Sequence, residues 1–267
     1  MEKIKSISSP KEIRNLLWLL KLGALINVIY FFNSLEIVSI PQLKIPAQIF
    51  FVISAFRCLF PVSYPRNIVF HDSILSSVFL TRLLATFSEI AMIYQLSVLM
   101  RLLNTEGLVM INTLSWIIVI QVCVSQVFVW AAIIFKHRIL YFYEEIGWFI
   151  IYSINTGVSL FILLNTTGST GGDLLLYLNI IFGAGYLPWQ FFHLKFLLKD
   201  GYNQRNENLP QPIISWSEFL NGIQNSITVM HPSTHSGDWG GIIGITWMFG
   251  YWAIIMPGWI YLIMKWG

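Results

Sequence analysis

Seven long apolar runs, with nearly all charge confined to the segments between them, decide what this chain can become. The runs cover 16–38, 45–64, 74–103, 108–135, 146–164, 174–198 and 241–264. Crossing the hydrocarbon core of a bilayer takes about 20 mostly apolar residues. The stretches 108–135, 146–164, 174–194 and 241–264 contain no Asp, Glu, Lys or Arg at all. Lipid offers the backbone no hydrogen-bond partner, so each run must close its amides internally as a helix, and the alternation of a barrel strand is absent. Apolar residues make up 56% of the chain and charged residues 11%, against about 25% charged in soluble domains. The 267 residues therefore read as all-α, a polytopic membrane helical bundle of about seven transmembrane helices. It forms one integral membrane domain with no length left for a separate soluble one. The net charge of +3 does not point to nucleic acid, because the basic residues are scattered through short loops.

Those loops report orientation. Lys and Arg in short loops stay in the cytoplasm. With the N-terminus inside, the inner segments hold Lys3, Lys5, Lys11, Arg14, Arg66, Lys136, Arg138, Lys195, Lys199 and Arg205, and the outer ones Lys44, Arg101 and Lys265. Ten against three predicts N-inside, C-outside, with the 199–240 loop cytoplasmic. The first run has a basic start, but Lys21 interrupts it and no small-residue cleavage site follows, so it reads as a retained helix rather than a signal peptide. Cys58 and Cys123 fall inside runs without any C-x-x-C and read as buried free thiols.

An ionisable residue within a span is expensive and marks a candidate site. Arg57 lies in the second run, and Arg82 and Glu89 in the third, seven residues apart and hence on one helix face. The fifth begins with Glu144-Glu145 and continues through Trp148, Tyr152 and Asn155; carboxylates in a first turn suit the helix dipole. The sixth carries Asn179, Gly183, Tyr186, Gln190 and His193 at steps of four, three, four and three. This is a polar seam with a small residue in it, of the kind that joins membrane helices, and Pro188 predicts a kink. Together with His137 after the fourth run and Asp72 after the second, these residues predict a polar pocket opening toward the cytoplasm. Its acid–base members are Glu89, Arg82, Glu144, Glu145, His137 and His193. Arg57, Asn155, Asn179, Tyr186 and Gln190 would contact substrate.

Residues 199–240 are the one long polar stretch. Asp200–Gln211 reads as turn-like, and Ser215 with Glu218 three residues on reads as a capping box opening an amphipathic helix over 216–230 that lies on the membrane surface. After it, His231, His235 and Asp238 have a spacing that would let them hold a divalent metal, the one cofactor this loop suggests. Seven helices with His231-x-x-x-His235 before the last resemble the membrane hydrolase superfamily of progestin and adiponectin receptors and alkaline ceramidases. In that superfamily such a pair enters the last helix beside zinc. The resemblance implies a zinc hydrolase, but the superfamily's Ser-x-x-x-His would need a serine where this chain has Asn67 before His71, and the pair here precedes the apolar run.

No P-loop, G-x-G-x-x-G, H-E-x-x-H or G-x-S-x-G occurs, five histidines cannot supply a desaturase-type histidine box, and no internal repeat is evident. Three functions fit. One is a membrane enzyme acting on a lipid-like or isoprenoid substrate, partnered by membrane lipids, with its 16% aromatic residues lining an apolar channel. Another is a proton-coupled carrier using Arg82 and Glu89. The third is a non-catalytic assembly subunit whose buried polar groups specify packing.

Overall fold

A computed structural model describes residues 12–165, 172–206 and 215–267, the side chains of 204–206 excepted. The helices are α1 (Arg14–Glu36), α2 (Pro41–Leu59), α3 (Val78–Leu103), α4 (Val109–Phe135), α5 (Ile139–Asn165), α6 (Asp173–Asn206) and α7 (Trp216–Thr228), then α8 (Gly241–Met248), a π-helical turn (Phe249–Ile254) and α9 (Ile255–Trp266). The last three form one continuous span, and among the described residues seven helices are long and apolar enough to cross a membrane. The chain is an all-α, multi-pass integral membrane protein.

Four boundaries differ from the sequence reading. Helix α2 stops at Leu59, because Pro61 cannot continue it and Val62–Ser63 form strand β1 instead. Residues 74–76 make a 3-10 turn ahead of α3. Helix α5 starts at Ile139, so Glu144 and Glu145 lie inside it and not in its first turn. Helix α6 runs unbroken through Pro188 to Asn206, taking in Asp200, so a helix replaces the expected turn there. Cys58 is buried, but Cys123 faces outward, where a thiol is apolar enough to sit. Residues 166–171, Lys3, Lys5, Lys11 and the segment 207–214 with Pro210 and Pro212 lie outside the described residues.

The described residues cluster into two compact units. The first comprises 12–38, Ala47–Ser88 and Ile223–Tyr261. Its α1 closes on the last span through Gly23, where a Cβ would run into Ala253 and Cys58 Sγ. Pro257 has no N–H to give to the carbonyls one turn earlier. In the same span the Trp252 carbonyl accepts two bonds from the side: Asn27 Nδ2 donates to it at 2.9 Å and Cys58 Sγ at 3.4 Å. A small sheet belongs to the same unit. β1 pairs antiparallel with β2 (Ile68–Val69), which pairs parallel with β3 (His231–Pro232). Asn67 turns the chain between β1 and β2 in the left-handed region, φ 51°, a conformation asparagine tolerates better than most residues.

The second unit comprises the described residues of Ser39–Pro46, Glu89–Gly222 and Leu262–Gly267. Here α4 packs on α5 and α5 on α6 at small residues. A Cβ on Gly147 would meet Ser125 and Gln121, and one on Gly183 would meet Thr156. Close backbone approach of this kind is how membrane helices gain dispersion contact without a hydrophobic driving force. Ser215 Oγ accepts from Glu218 N at 3.2 Å, as the capping pattern predicts, and Gly222 of α7 lies against the Ile134 carbonyl at the end of α4. Trp216 and Leu220 remain 73% and 50% exposed, an outward apolar face that suits a helix lying at the membrane interface.

Candidate functional site

A polar seam runs through the second unit, built by the period of two helices. On α5 the residues Glu145, Trp148, Tyr152, Asn155 and Ser159 recur at steps of three and four and so share a face. On α6 the stripe Asn179, Gly183, Tyr186, Gln190, His193 meets it, Gly183 giving the room for Thr156. Gln190 Nε2 donates to Glu145 Oε2 at 2.6 Å and to the Glu145 carbonyl at 2.9 Å. Asn179 Nδ2 donates to Ser159 Oγ at 2.9 Å and, more weakly, to Asn155 Oδ1 at 3.5 Å. Between these two polar contacts lies an aromatic stack. Tyr152 and Tyr186 have ring centroids 4.8 Å apart, with Trp148 and Phe182 against Tyr152.

The seam extends to α3 and α4. Gln126 Nε2 donates to Glu89 Oε2 at 2.9 Å, and Ser125 Oγ to the Glu144 carbonyl at 3.3 Å. Glu89 lies within electrostatic reach of Tyr152, and Glu144 and Glu145 within reach of Tyr186. Gln190, Asn155 and Ser125 are fully buried, Asn179 and Ser159 are 1% exposed and Glu89 6%. Each amide that donates to a carboxylate stabilises charge that lipid would reject, and charge-assisted bonds are about twice as strong as neutral ones. Five buried atoms in the seam make no hydrogen bond to protein: Tyr152 Oη, Asn155 Nδ2, Thr156 Oγ1, Asn179 Oδ1 and Gln190 Oε1. In an apolar surround each such group costs about 1–3 kcal/mol, so the seam holds more hydrogen-bonding capacity than packing alone requires.

The remaining predicted site residues are placed as follows. His193 stacks on Trp189 at 4.9 Å, at the far end of the α6 stripe. His137 sits in the short link between α4 and α5, and its imidazole bonds to neither Glu144 nor Glu145. Arg57 and Arg82 belong to the first unit, both lying over the ring of Tyr64. Asp72 is exposed. His231 is exposed in β3 rather than on a helix. His235 Nδ1 accepts from Gly237 N at 3.3 Å, and Asp238 accepts from Ser233 Oγ at 2.6 Å and faces Arg66 at 3.8 Å. Among the described residues no three His, Cys, Asp or Glu side chains come together in a way that could hold a metal ion. The hydrolase-like pair is thus part of a tied loop, in which Trp239 Nε1 also donates to the Ser233 carbonyl at 3.0 Å.

Sequence reasoning passed over Ser159 and Thr156. The signal was available, since Ser159 stands one turn after Asn155 on the same face. Outside the spans, the His71 imidazole is held below its usual pKa. Burial against Phe70, Phe60 and Trp18 is the larger cause and the Lys21 cation the smaller.

No family model, curated protein or solved structure matches this chain. The likeness to the membrane hydrolases is one of outline and of a two-histidine spacing only.

Proposed function

We propose that this protein is a proton-coupled carrier whose α3–α6 seam passes protons through the membrane interior. One observation carries this reading: titratable and hydrogen-bonding groups are strung out along the helices instead of converging at one depth. From Glu145 to Ser159 the α5 stripe climbs about 21 Å at 1.5 Å per residue, most of a hydrocarbon core of about 30 Å. Along that length stand the Glu145 carboxyl, the Tyr152 phenol, the Asn155 amide and the Ser159 hydroxyl, with unfilled donors and acceptors in the seam at Tyr152, Asn155, Thr156, Asn179 and Gln190. Intramembrane chains of this composition serve proton relays. Purified protein in liposomes with an entrapped pH-sensitive dye tests it. An imposed gradient should dissipate faster than in empty vesicles, and Glu145→Gln and Glu89→Gln should each slow that by at least about tenfold while the protein stays monodisperse. Flux equal to that of empty vesicles would end the proposal.

A second reading, a membrane enzyme performing acid–base chemistry on a lipid-like substrate, is favoured by the aromatic lining around Glu145, namely Trp148, Tyr152, Tyr186 and Trp189. It predicts a lipid species that accumulates in membranes carrying Glu145→Gln and is consumed in those carrying wild type, without proton flux. In either case we place the N-terminus and the 199–240 loop in the cytoplasm on the loop-charge count. A cysteine introduced at Lys136 should then be labelled by impermeant maleimide only after permeabilisation, and one at Lys44 in intact cells.

A further inference from the structure

We propose that the outward face of α7 is a docking surface for the bilayer itself, held among lipids by apolar insertion and indifferent to the charge of their headgroups. Helical period divides α7 into three faces. Trp216, Leu220, Ile223 and Ile227 form one stripe, Phe219, Gly222 and Ser226 a second, and Ser217, Asn221, Gln224 and Thr228 a third. The second face is packed on protein. Gly222 and Ser226 are buried, a Cβ on Gly222 would run into the Ile134 carbonyl, and the Phe219 ring lies 6.4 Å from that of Phe135. The third face is polar and exposed. The first is uncovered at its leading end, with Trp216 73% exposed and Leu220 50%.

What covers that face follows from where α7 sits. Ile134 and Phe135 are the last two residues of the α4 span. The contacts through Gly222 and Phe219 therefore fix α7 at the level where that span leaves the hydrocarbon. Tryptophan is favoured at this boundary, and a helix lying in it buries its apolar side about 5–10 Å deep. Trp216 stacks on Phe219 with ring centroids 5.2 Å apart, so its outward position is that of a packed side chain. Charge decides which lipids suffice. Surface helices that depend on anionic lipid carry Lys and Arg along the polar side. Between Trp216 and Thr228 there is neither, and the one charge is Glu218, in the first turn where the helix dipole favours it. The polar face is made of hydroxyls and amides. The apolar stripe alone supplies the attraction, so phosphatidylcholine serves as well as phosphatidylserine.

The test uses full-length protein in phosphatidylcholine vesicles, with a nitroxide on a single cysteine introduced as Leu220→Cys or, for comparison, Asn221→Cys. Cys123 is replaced by serine, and Cys58 is buried. Both labelled positions are exposed and neither belongs to the packed face, so the labels leave α7 in place. Collision with dioxygen, which concentrates among acyl chains, is compared with collision with a water-soluble nickel chelate. The label at position 220 should meet dioxygen severalfold more often, and the chelate severalfold less often, than the label at 221. Added phosphatidylserine should leave both ratios unchanged. Equal chelate access at the two positions overturns the proposal, and so does burial of position 220 that requires phosphatidylserine. Broadening of the position 220 signal that is lost on dilution with unlabelled protein also overturns it, by assigning the face to a second copy of the chain.

Discussion

In the α3–α6 unit buried side chains bond to one another, Gln126 to Glu89, Gln190 to Glu145 and Asn179 to Ser159, beside bonds from Ser125, Gln190 and Gln95 to backbone carbonyls. In the unit around the last span the buried side chains bond to backbone: Asn27 and Cys58 to the Trp252 carbonyl, Arg57 to that of Val62. The difference has consequences. Side chains that satisfy each other can exchange partners and protons, as a relay requires. Side chains spent on a helix carbonyl fix the shape of that helix instead.

Substitutions in the two units should break this contrast to graded extents. Gly147→Leu comes first, because its Cβ already collides with Ser125 and Gln121. It should cost about 3 kcal/mol by overpacking, read as a large fall in unfolding temperature in detergent. Gln190→Leu follows, because it strips the Glu145 carboxylate of a charge-assisted bond at 2.6 Å and should cost about 2 kcal/mol. Asn27→Leu should cost about 1 kcal/mol, since Cys58 still donates to the Trp252 carbonyl and a leucine restores apolar contact. Should Asn27→Leu prove the worse of the last two, the contrast between a side-chain network and backbone buttressing would fail.

The smallest effect is a pH dependence at His71. Burial and Lys21 both disfavour its imidazolium, so its folded pKa lies below the ordinary value of about 6.5. The unfolded chain then binds the proton more readily. The contribution is complete above about pH 6.5 and is lost as pH falls through the folded pKa. Unfolding temperatures between pH 7.5 and 5 should fall slightly more for wild type than for His71→Phe. An imidazole titrating by NMR above 6.5 would reverse the sign.

Long apolar runs made the seven spans legible, because in lipid length and hydropathy leave a helix no rival. The α6 stripe was legible for the same reason, a period that survives burial. Other features were hidden for definite causes. Glu144 and Glu145 look like a helix start until Tyr141, Phe142 and Tyr143 are seen to belong to α5 as well. Strands of two residues have no periodicity, so the sheet that binds His231–Pro232 to Ile68–Val69 left no trace in the sequence. The convergence of Arg57 and Arg82 on Tyr64 depends on the fold of the loop that follows α2, which hydropathy does not describe.

The relay can be separated from mere packing most directly at Tyr152. Its hydroxyl is buried without a hydrogen-bond partner in the middle of the α5 stripe, so Tyr152→Phe should leave the unfolding temperature unchanged or raise it. Proton flux through reconstituted vesicles should nonetheless fall by at least about tenfold, the effect of about 1.4 kcal/mol on the barrier. Flux through Tyr152→Phe equal to that of wild type, with the fold intact, would contradict the account and return the seam to a device for joining helices.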